Sequence, residues 1–306
     1  MDKPLYDYYI NLLEINNKPD FLNKYLETPC LTRLKHIAYF CGMNRASKNV
    51  YNFKEYYTRY DHSLSVALLT WKLTNDKKAT LAGLFHDIGT PCFSHVIDYM
   101  NKDYATQEST EVYTKKIIRN DRYLTNLLEK DNIAVKDIID FKKYSIVDNN
   151  RPKVCSDRLD GVILTGISWT QDIDYNDINN IISNISIFKN EENENEIGFR
   201  SSEVAKRVVD ISKNIDFFCH SNEDNYMMEL LADITRKAIS NKIITYEELY
   251  IDNEDELFQK LKSTHIGEIK ESLHKFESIS LNEIPQTVLN GIKIRDLKPL
   301  VNGNRI

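Results

Sequence analysis

His62, His86, Asp87 and Asp157 are residue types that ligate divalent metals, and together they could hold an ion able to activate water and draw charge from a bound anion. Whether they meet depends on the segments that carry them. From Ser63 to Thr74, the residues Leu64, Val66, Ala67, Leu68, Leu69, Trp71 and Leu73 leave little room for a solvated face, so the pattern predicts a buried helix. Asn75-Asp76-Lys77 breaks it. Ala79, Leu81, Ala82, Leu84, Phe85 and Ile88 then make a second helix, terminated by Gly89 and Pro91. Two helices joined by a short turn pack antiparallel. Each is roughly 15–18 Å long at 1.5 Å per residue, so His62, near the start of the first, and His86-Asp87, at the end of the second, arrive at one end of the hairpin. Taken singly, each would be a capping or core polar residue; their convergence points to a metal.

The fourth ligand is expected from the segment Lys153–Leu164. Its apolar residues suggest burial, while Asp157 and Asp160 share a helical face at i, i+3 spacing. Buried carboxylates need a cation. Asp157 is assigned to the metal and Asp160 to a salt bridge with a nearby Arg. Two imidazoles with two carboxylates suit Mn²⁺, Fe²⁺, Ni²⁺ or Zn²⁺ better than Mg²⁺.

Only 9 Gly and 7 Pro in 306 residues argue against a turn-rich β architecture, so helices should dominate. A formal charge of −6, from 46 acidic and 40 basic residues, offers no footprint for long nucleic acid, and a small ligand is the expected partner. Cys30, Cys41, Cys92, Cys155 and Cys219 are odd in number and widely spaced, which indicates neither a disulfide framework nor a cysteine zinc site. The chain shows no basic-then-apolar leader and no stretch of membrane-spanning length. A cytoplasmic protein with no membrane association is expected.

The order His62, then His86-Asp87, then Asp157 resembles the H…HD…D signature of HD-domain phosphohydrolases. The run from His86 to Asp98 is similar to the HD(I/L)GHGPFSHxFD stretch of the deoxynucleoside triphosphate triphosphohydrolases. Thr32-Arg33-Leu34-Lys35, Thr58–Leu64 and Asp157-Arg158-Leu159-Asp160 resemble that group's QRLR, xRFEHSLG and DRLDYLLRD segments. The similarity is strong from about residue 28 to 170. It implies a mainly α fold: an HD helical bundle over 1–180, then a small β-hairpin and a helical C-terminal extension over 181–306 packed on the same core. It also implies a metal-dependent phosphohydrolase acting on a small phosphorylated substrate, a nucleotide in the family, and assembly as a homo-oligomer.

Residue by residue, the resemblance makes His95, Asp98 and Asp87 catalytic. His95 would protonate the leaving group or touch phosphate, and Asp98 would orient it. Arg59, Arg158 and Arg33 would bind substrate, with Glu108 supporting them. The plainer readings are a structural His95 and an Arg59 paired with Asp61 or Glu55. His36, His265 and His274 are taken as ordinary surface or half-buried residues.

The departures matter too. Thr90 and Gln107 stand where the group has histidines, and Gly161, Thr165 and Tyr39 replace residues that read the sugar. A hairpin of Ile185–Lys189 and Glu196–Arg200 should flank a flexible tract from Asn190 to Glu194, followed by a helix from Ser202 to about His220 whose Phe218-Cys219-His220 partly matches a YxH motif. Helices over Tyr226–Ala238 and Glu254–Leu261 and a frayed end at 302–306 complete the reading. Anchored on His220, the positions that would grip outer phosphates are Asp210, Asn214, Phe218 and Ser221, none of them cationic. Compact phosphate esters are therefore expected over triphosphates. The alternatives are the full triphosphohydrolase reaction and a degenerate protein that binds nucleotide without turnover.

Overall fold

In the computed structural model, which describes residues 2–15, 19–105, 113–286, 289 and 291–306, the ligand-bearing hairpin is the centre of the molecule. Its first helix, Arg59–Thr74, starts earlier than the apolar pattern suggests because Thr58 and Asp61 form a capping box: the Thr58 hydroxyl accepts from the Asp61 amide, and the Asp61 carboxylate accepts from Thr58 N–H. His62 therefore sits one turn inside the helix. The helix ends at Asn75, whose left-handed conformation (φ 52°) suits Asn better than a branched residue. The second helix, Lys77–Phe85, follows at once, its first amides capped by Asp76, and its apolar residues are almost all buried. It stops at Phe85, with His86 as its C-cap.

Asp157 lies in the first turn of a third helix, Ser156–Ser168, with Asp160 just beyond that turn, and this helix packs across Arg59–Thr74. Helices Ser202–Cys219 and Asn222–Ser240 carry amphipathic stripes onto the same interior, and Glu254–Ser263 packs with Gly267–Ser278 behind them. One buried apolar cluster runs from Leu5 and Tyr9 through Phe85 and Phe93 to Phe258, Phe276 and Leu297, so residues of both parts of the chain share a core.

The small sheet has four strands in the order β1 (Ile185–Lys189), β2 (Asn195–Phe199), β3 (Leu300–Val301) and β4 (Asn304–Arg305). β1 and β2 form the expected hairpin, with Ile187 opposite Ile197. Two expectations drawn from polarity are overturned. The tract 190–194 is an organised turn, in which the Asn190 carboxamide accepts from the amides of Glu192 and Glu194 and donates to Glu196. Nor does the end fray: Arg305 forks onto Glu191 and Glu196 at 2.7–2.8 Å, and β3 pairs in parallel with β2. Polarity marked ion-paired β structure here, not disorder.

All five cysteines are free. No helix among the described residues is long and apolar enough to cross a membrane.

Candidate metal centre and its cavity

Two local hydrogen bonds aim the histidines. His86 Nδ1 lies 2.7 Å from the Gly83 carbonyl, one turn back, which puts the ring proton on Nδ1 and leaves Nε2 as a lone-pair donor. His62 Nδ1 lies 2.6 Å from Asp160 Oδ2, which does the same for His62. Both Nε2 atoms then face the carboxylates: His62 Nε2 is 3.1 Å from Asp157 Oδ1 and 3.9 Å from Asp87 Oδ2, while His86 Nε2 is 3.4 Å from Asp157 and 3.7 Å from Asp87. Ligand atoms of His62, His86 and Asp87 all fall within 4.8 Å of one another.

The donor set fits a divalent ion on an observation of its own. His86 Nε2 is buried without a hydrogen-bond partner, aimed at the carboxylates. Protein interiors rarely leave such an atom orphaned, and a ligand position is one reason to do so. The electrostatics agree. Burial opposes charge on His62, but Asp157 and Asp160 raise its imidazole to about 10, and His86 rises as well, through Asp87 and Asp157. Burial likewise opposes ionisation of the carboxyls, yet His86, Arg59 and His62 hold Asp87 at about 2, and the two imidazoles hold Asp157 well below the usual range. Without metal, the carboxylates favour protons on the imidazoles where a dication's charge would be, so metal uptake should release protons.

Asp160 is the clearest departure from the sequence reading. Among the described residues it pairs with no Arg: fully buried, it accepts from Tyr9 Oη at 2.9 Å and holds His62. A carboxylate behind a metal-binding imidazole fixes the tautomer and increases its basicity. The i, i+3 spacing from Asp157 was the available signal.

Arg59 pairs with Asp87, not with Asp61 or Glu55: its Nη1 is 2.8 Å from Asp87 Oδ2, its Nε donates to Ser94 Oγ, and its guanidinium lies over the Tyr39 ring at 5.2 Å. His95 caps the short Val96–Met100 helix, with Nδ1 2.8 Å from the buried Asp98 Oδ2 and its other nitrogen left for the cavity. Burial lowers its pKa, with Arg59 and Arg295 adding to the effect against the pull of Asp98. His95 follows two left-handed residues, Phe93 (φ 64°) and Ser94 (φ 45°). That costly turn is pinned from the Glu254–Ser263 helix. Glu254 Oε1 accepts from Phe93 N–H at 2.9 Å, and Phe258 meets the Phe93 ring edge-on at 5.2 Å.

Other assignments need correction. Arg33 does not reach the cavity; its Nη2 donates to the carbonyls of Ile88 and Thr90, so it clamps the loop that follows the ligands. Thr90, at a position of a family histidine, is buried in that loop. Arg158 borders the cavity, but its guanidinium is tied to Asp148, Asn149 and the Lys153 carbonyl, fixing the loop that carries Arg151. Glu108 and Gln107 lie outside the described residues. His36, His265 and His274 are exposed.

A cavity of about 240 Å³ opens beside the candidate ligands. Tyr39, Gly161 and Thr165, the positions the resemblance puts at a sugar, line it. From the Ser202–Cys219 helix the lining residues are Ser212, Ile215 and Cys219, so this helix brings no cation, as expected from sequence. Arg207 bonds Asp177 instead, and Asn214 bonds Asp172. His220 bonds the Asp216 carbonyl and does not line the cavity. Yet the cationic grip is not lost. Arg151, Lys293 and Arg295 enter from two other segments and, with Arg59, surround a smaller recess that also touches His86, Asp87, His95 and Asp157. Burial lowers the pKa of both Arg151 and Lys293; repulsion from Arg158 and Arg295 lowers Arg151 further, and repulsion from Arg151 and Arg295 does the same to Lys293. Residues 293 and 295 carry no periodic or motif signal; only the tertiary fold brings them back to the ligands. The Arg295 segment is fixed from below, where Arg295 N–H donates to Asp216 and the Arg295 carbonyl accepts from Ser212.

Against known proteins, the profile described as HD domain matches residues 59–161, the span holding all four ligand candidates. An HD domain is thus found over residues 59–161 of this chain. A Bacillus subtilis protein, YdhJ, is 29% identical over 104 residues, covering 34% of this chain and 31% of that one. The protein named metal-dependent phosphohydrolase cns2, from Cordyceps militaris, is 25% identical over 131 residues, 43% of this chain and 37% of its own. The matches thus span about a third of the length of these curated relatives. They carry the HD superfamily and not the narrower triphosphohydrolase group.

Proposed function

We propose that this protein is a metal-dependent phosphohydrolase that cleaves a phosphate ester of a nucleotide or similar small molecule, with His62, His86, Asp87 and Asp157 as metal ligands. The observation that carries the reading is the convergence of two Nε2 lone pairs and two carboxylates at the edge of a cavity rimmed by Arg59, Arg151, Lys293 and Arg295. The relative named as a metal-dependent phosphohydrolase supports it. A bound Mn²⁺, Fe²⁺, Ni²⁺ or Zn²⁺ ion would supply Lewis acidity, activating water and offsetting charge on a phosphoryl oxygen.

The chain's own residues supply the rest. Arg59 fixes Asp87 and presents positive charge to the entering phosphate, and Arg151, Lys293 and Arg295 lose their mutual repulsion when an anion sits among them. His95, held by Asp98, is neutral at neutral pH in the empty cavity. An arriving phosphate raises its proton affinity, so the imidazolium forms where the leaving oxygen needs a proton. The same three cations favour a second reading, a substrate with more than one phosphoryl group, up to a deoxynucleoside triphosphate. Their presence removes the argument that only compact phosphates fit.

The test is a screen of nucleoside mono-, di- and triphosphates and sugar phosphates with each divalent ion in turn, products identified by mass. Phosphate or polyphosphate release with Mn²⁺, Fe²⁺, Ni²⁺ or Zn²⁺ is expected to exceed that with Mg²⁺. Metal-loaded protein that binds nucleotides and hydrolyses none would make it a sensor instead.

A further inference from the structure

The cavity has a second end, away from the metal ligands, and its chemistry is different. Tyr51, Phe53 and Trp169 line it, with the Tyr51 and Phe53 rings stacked at 5.4 Å and Trp169 at 5.9 Å from Tyr51. Met43, Met228, Ile215 and Leu297 complete an apolar wall. Into this wall projects one carboxylate, Asp224, from the first turn of the Asn222–Ser240 helix; apart from Asp157 beside the metal ligands, it is the only acidic side chain lining the cavity among the described residues.

Asp224 is held in place rather than neutralised. Tyr51 Oη donates to its Oδ1 at 2.6 Å, and among the described residues no other hydrogen bond reaches the carboxylate. Oδ2 keeps its acceptor capacity. Burial pushes the carboxyl up to about 6 against the pull of the Tyr51 hydrogen bond and of the nearby Arg295 and His220, so at neutral pH it is mostly ionised and accepts. Pockets of this kind, apolar with a single placed polar group, gain specificity from that group. A volume of about 240 Å³ lies below the roughly 300–1,000 Å³ of drug-sized sites, space for one ring system rather than an extended chain.

We propose that Asp224 is a specificity-determining residue that reads a hydrogen-bond donor on the flat ring of the substrate, so that the protein prefers nucleotides with an amino-bearing base over those whose ring shows a carbonyl in its place. The proposal takes from the phosphohydrolase reading only that the phosphate lies at the cationic end, which sets the ring at the aromatic end. An exocyclic amino group meets the open carboxylate oxygen as donor to acceptor. A carbonyl at the same position sets oxygen against ionised oxygen, and a site built around a hydrogen bond rejects such an analogue strongly because its own buried group is left unpaired.

The experiment compares deamination pairs: adenosine with inosine monophosphate, and cytidine with uridine monophosphate. Binding to the metal-loaded full chain is read by calorimetry and turnover by phosphate release. Within each pair the amino-bearing member should bind at least 10-fold tighter. In Asp224→Asn, whose amide can present either an acceptor or a donor, the preference should fall below about threefold while metal content by elemental analysis stays at the wild-type level. Tyr51→Phe, which frees the carboxylate without removing it, should weaken the preference less than Asp224→Asn. Equal or absent binding of both members, or a preference that survives Asp224→Asn, overturns the proposal. Amino-selective binding without phosphate release upholds it and removes the hydrolytic reading instead.

Discussion

Replacing Asp160 by Asn keeps the side chain's shape and removes its charge, and the geometry around it dictates the consequence for metal binding. Asp160 accepts two hydrogen bonds, from Tyr9 Oη at 2.9 Å and from His62 Nδ1 at 2.6 Å, in a fully buried position. An Asn has one acceptor oxygen for these two donors. If the oxygen stays with Tyr9, the amide NH₂ faces His62 Nδ1 and forces the ring proton onto Nε2, which closes the lone pair that points at Asp157 and Asp87. If the oxygen stays with His62, the tautomer survives but a charge-assisted bond worth about 1.5–3 kcal/mol becomes a neutral one worth about 0.5–1.5 kcal/mol. The milder outcome costs about 1–2 kcal/mol, roughly 5- to 30-fold in metal dissociation constant at 1.4 kcal/mol per tenfold; the tautomer switch costs more. Both agree with the roughly 10- to 100-fold effect usual for partners behind a metal ligand. The assay is metal titration of the apoprotein by calorimetry, with circular dichroism to show that the helices persist. An Asp160→Asn protein that binds metal with wild-type affinity would refute the argument that this carboxylate sets the ligand tautomer.

Two more outcomes are expected from the same geometry. His95→Ala should keep the metal and lower turnover by roughly 10²- to 10⁴-fold, the usual worth of a positioned acid or base; unaltered turnover would leave His95 a helix-capping residue. Glu254, buried beneath the Phe93–Ser94 turn, has its carboxyl raised to about 7 by burial. A raised carboxyl stabilises the fold fully below its unfolded value near 4.5, and that contribution fades as pH climbs through 7. Relative to Glu254→Gln, the wild type should therefore lose stability between about pH 4.5 and 7, by up to about 3 kcal/mol. Denaturant titrations across that range check it, and a flat difference would contradict it.

The convergence of the four candidate ligands was legible because they lie on one helical hairpin and one helix start, where periodicity and capping residues dictate direction. Asp160 was visible as a residue but not in its role: i, i+3 spacing puts it on the face of Asp157, while only the fold shows that His62, and no Arg, lies opposite. Arg33 and Arg158 illustrate the converse. Arginines beside a motif look available for substrate, yet carbonyl and carboxylate groups of adjoining loops can take up their donors first, as happens here. The cations that do border the recess, Arg151, Lys293 and Arg295, come from irregular segments whose placement depends on long-range bonds such as Arg295 N–H to Asp216, which no local pattern encodes. The ordered C-terminal strands were missed for a related reason: the pairing of Arg305 with Glu191 and Glu196 is a contact between distant polar residues, and composition alone reads each of them as solvent-facing.

The central claim is that His62, His86, Asp87 and Asp157 hold a catalytic metal. Metal content by elemental analysis, measured alongside phosphate release, tests it most directly in the wild type and in Asp87→Ala, whose carboxylate lies beyond the end of the Lys77–Phe85 helix and contributes little to the core. The wild type should carry bound metal and release phosphate, and Asp87→Ala should lose both while its helical signal persists. Metal retained at the wild-type level in Asp87→Ala would contradict the account.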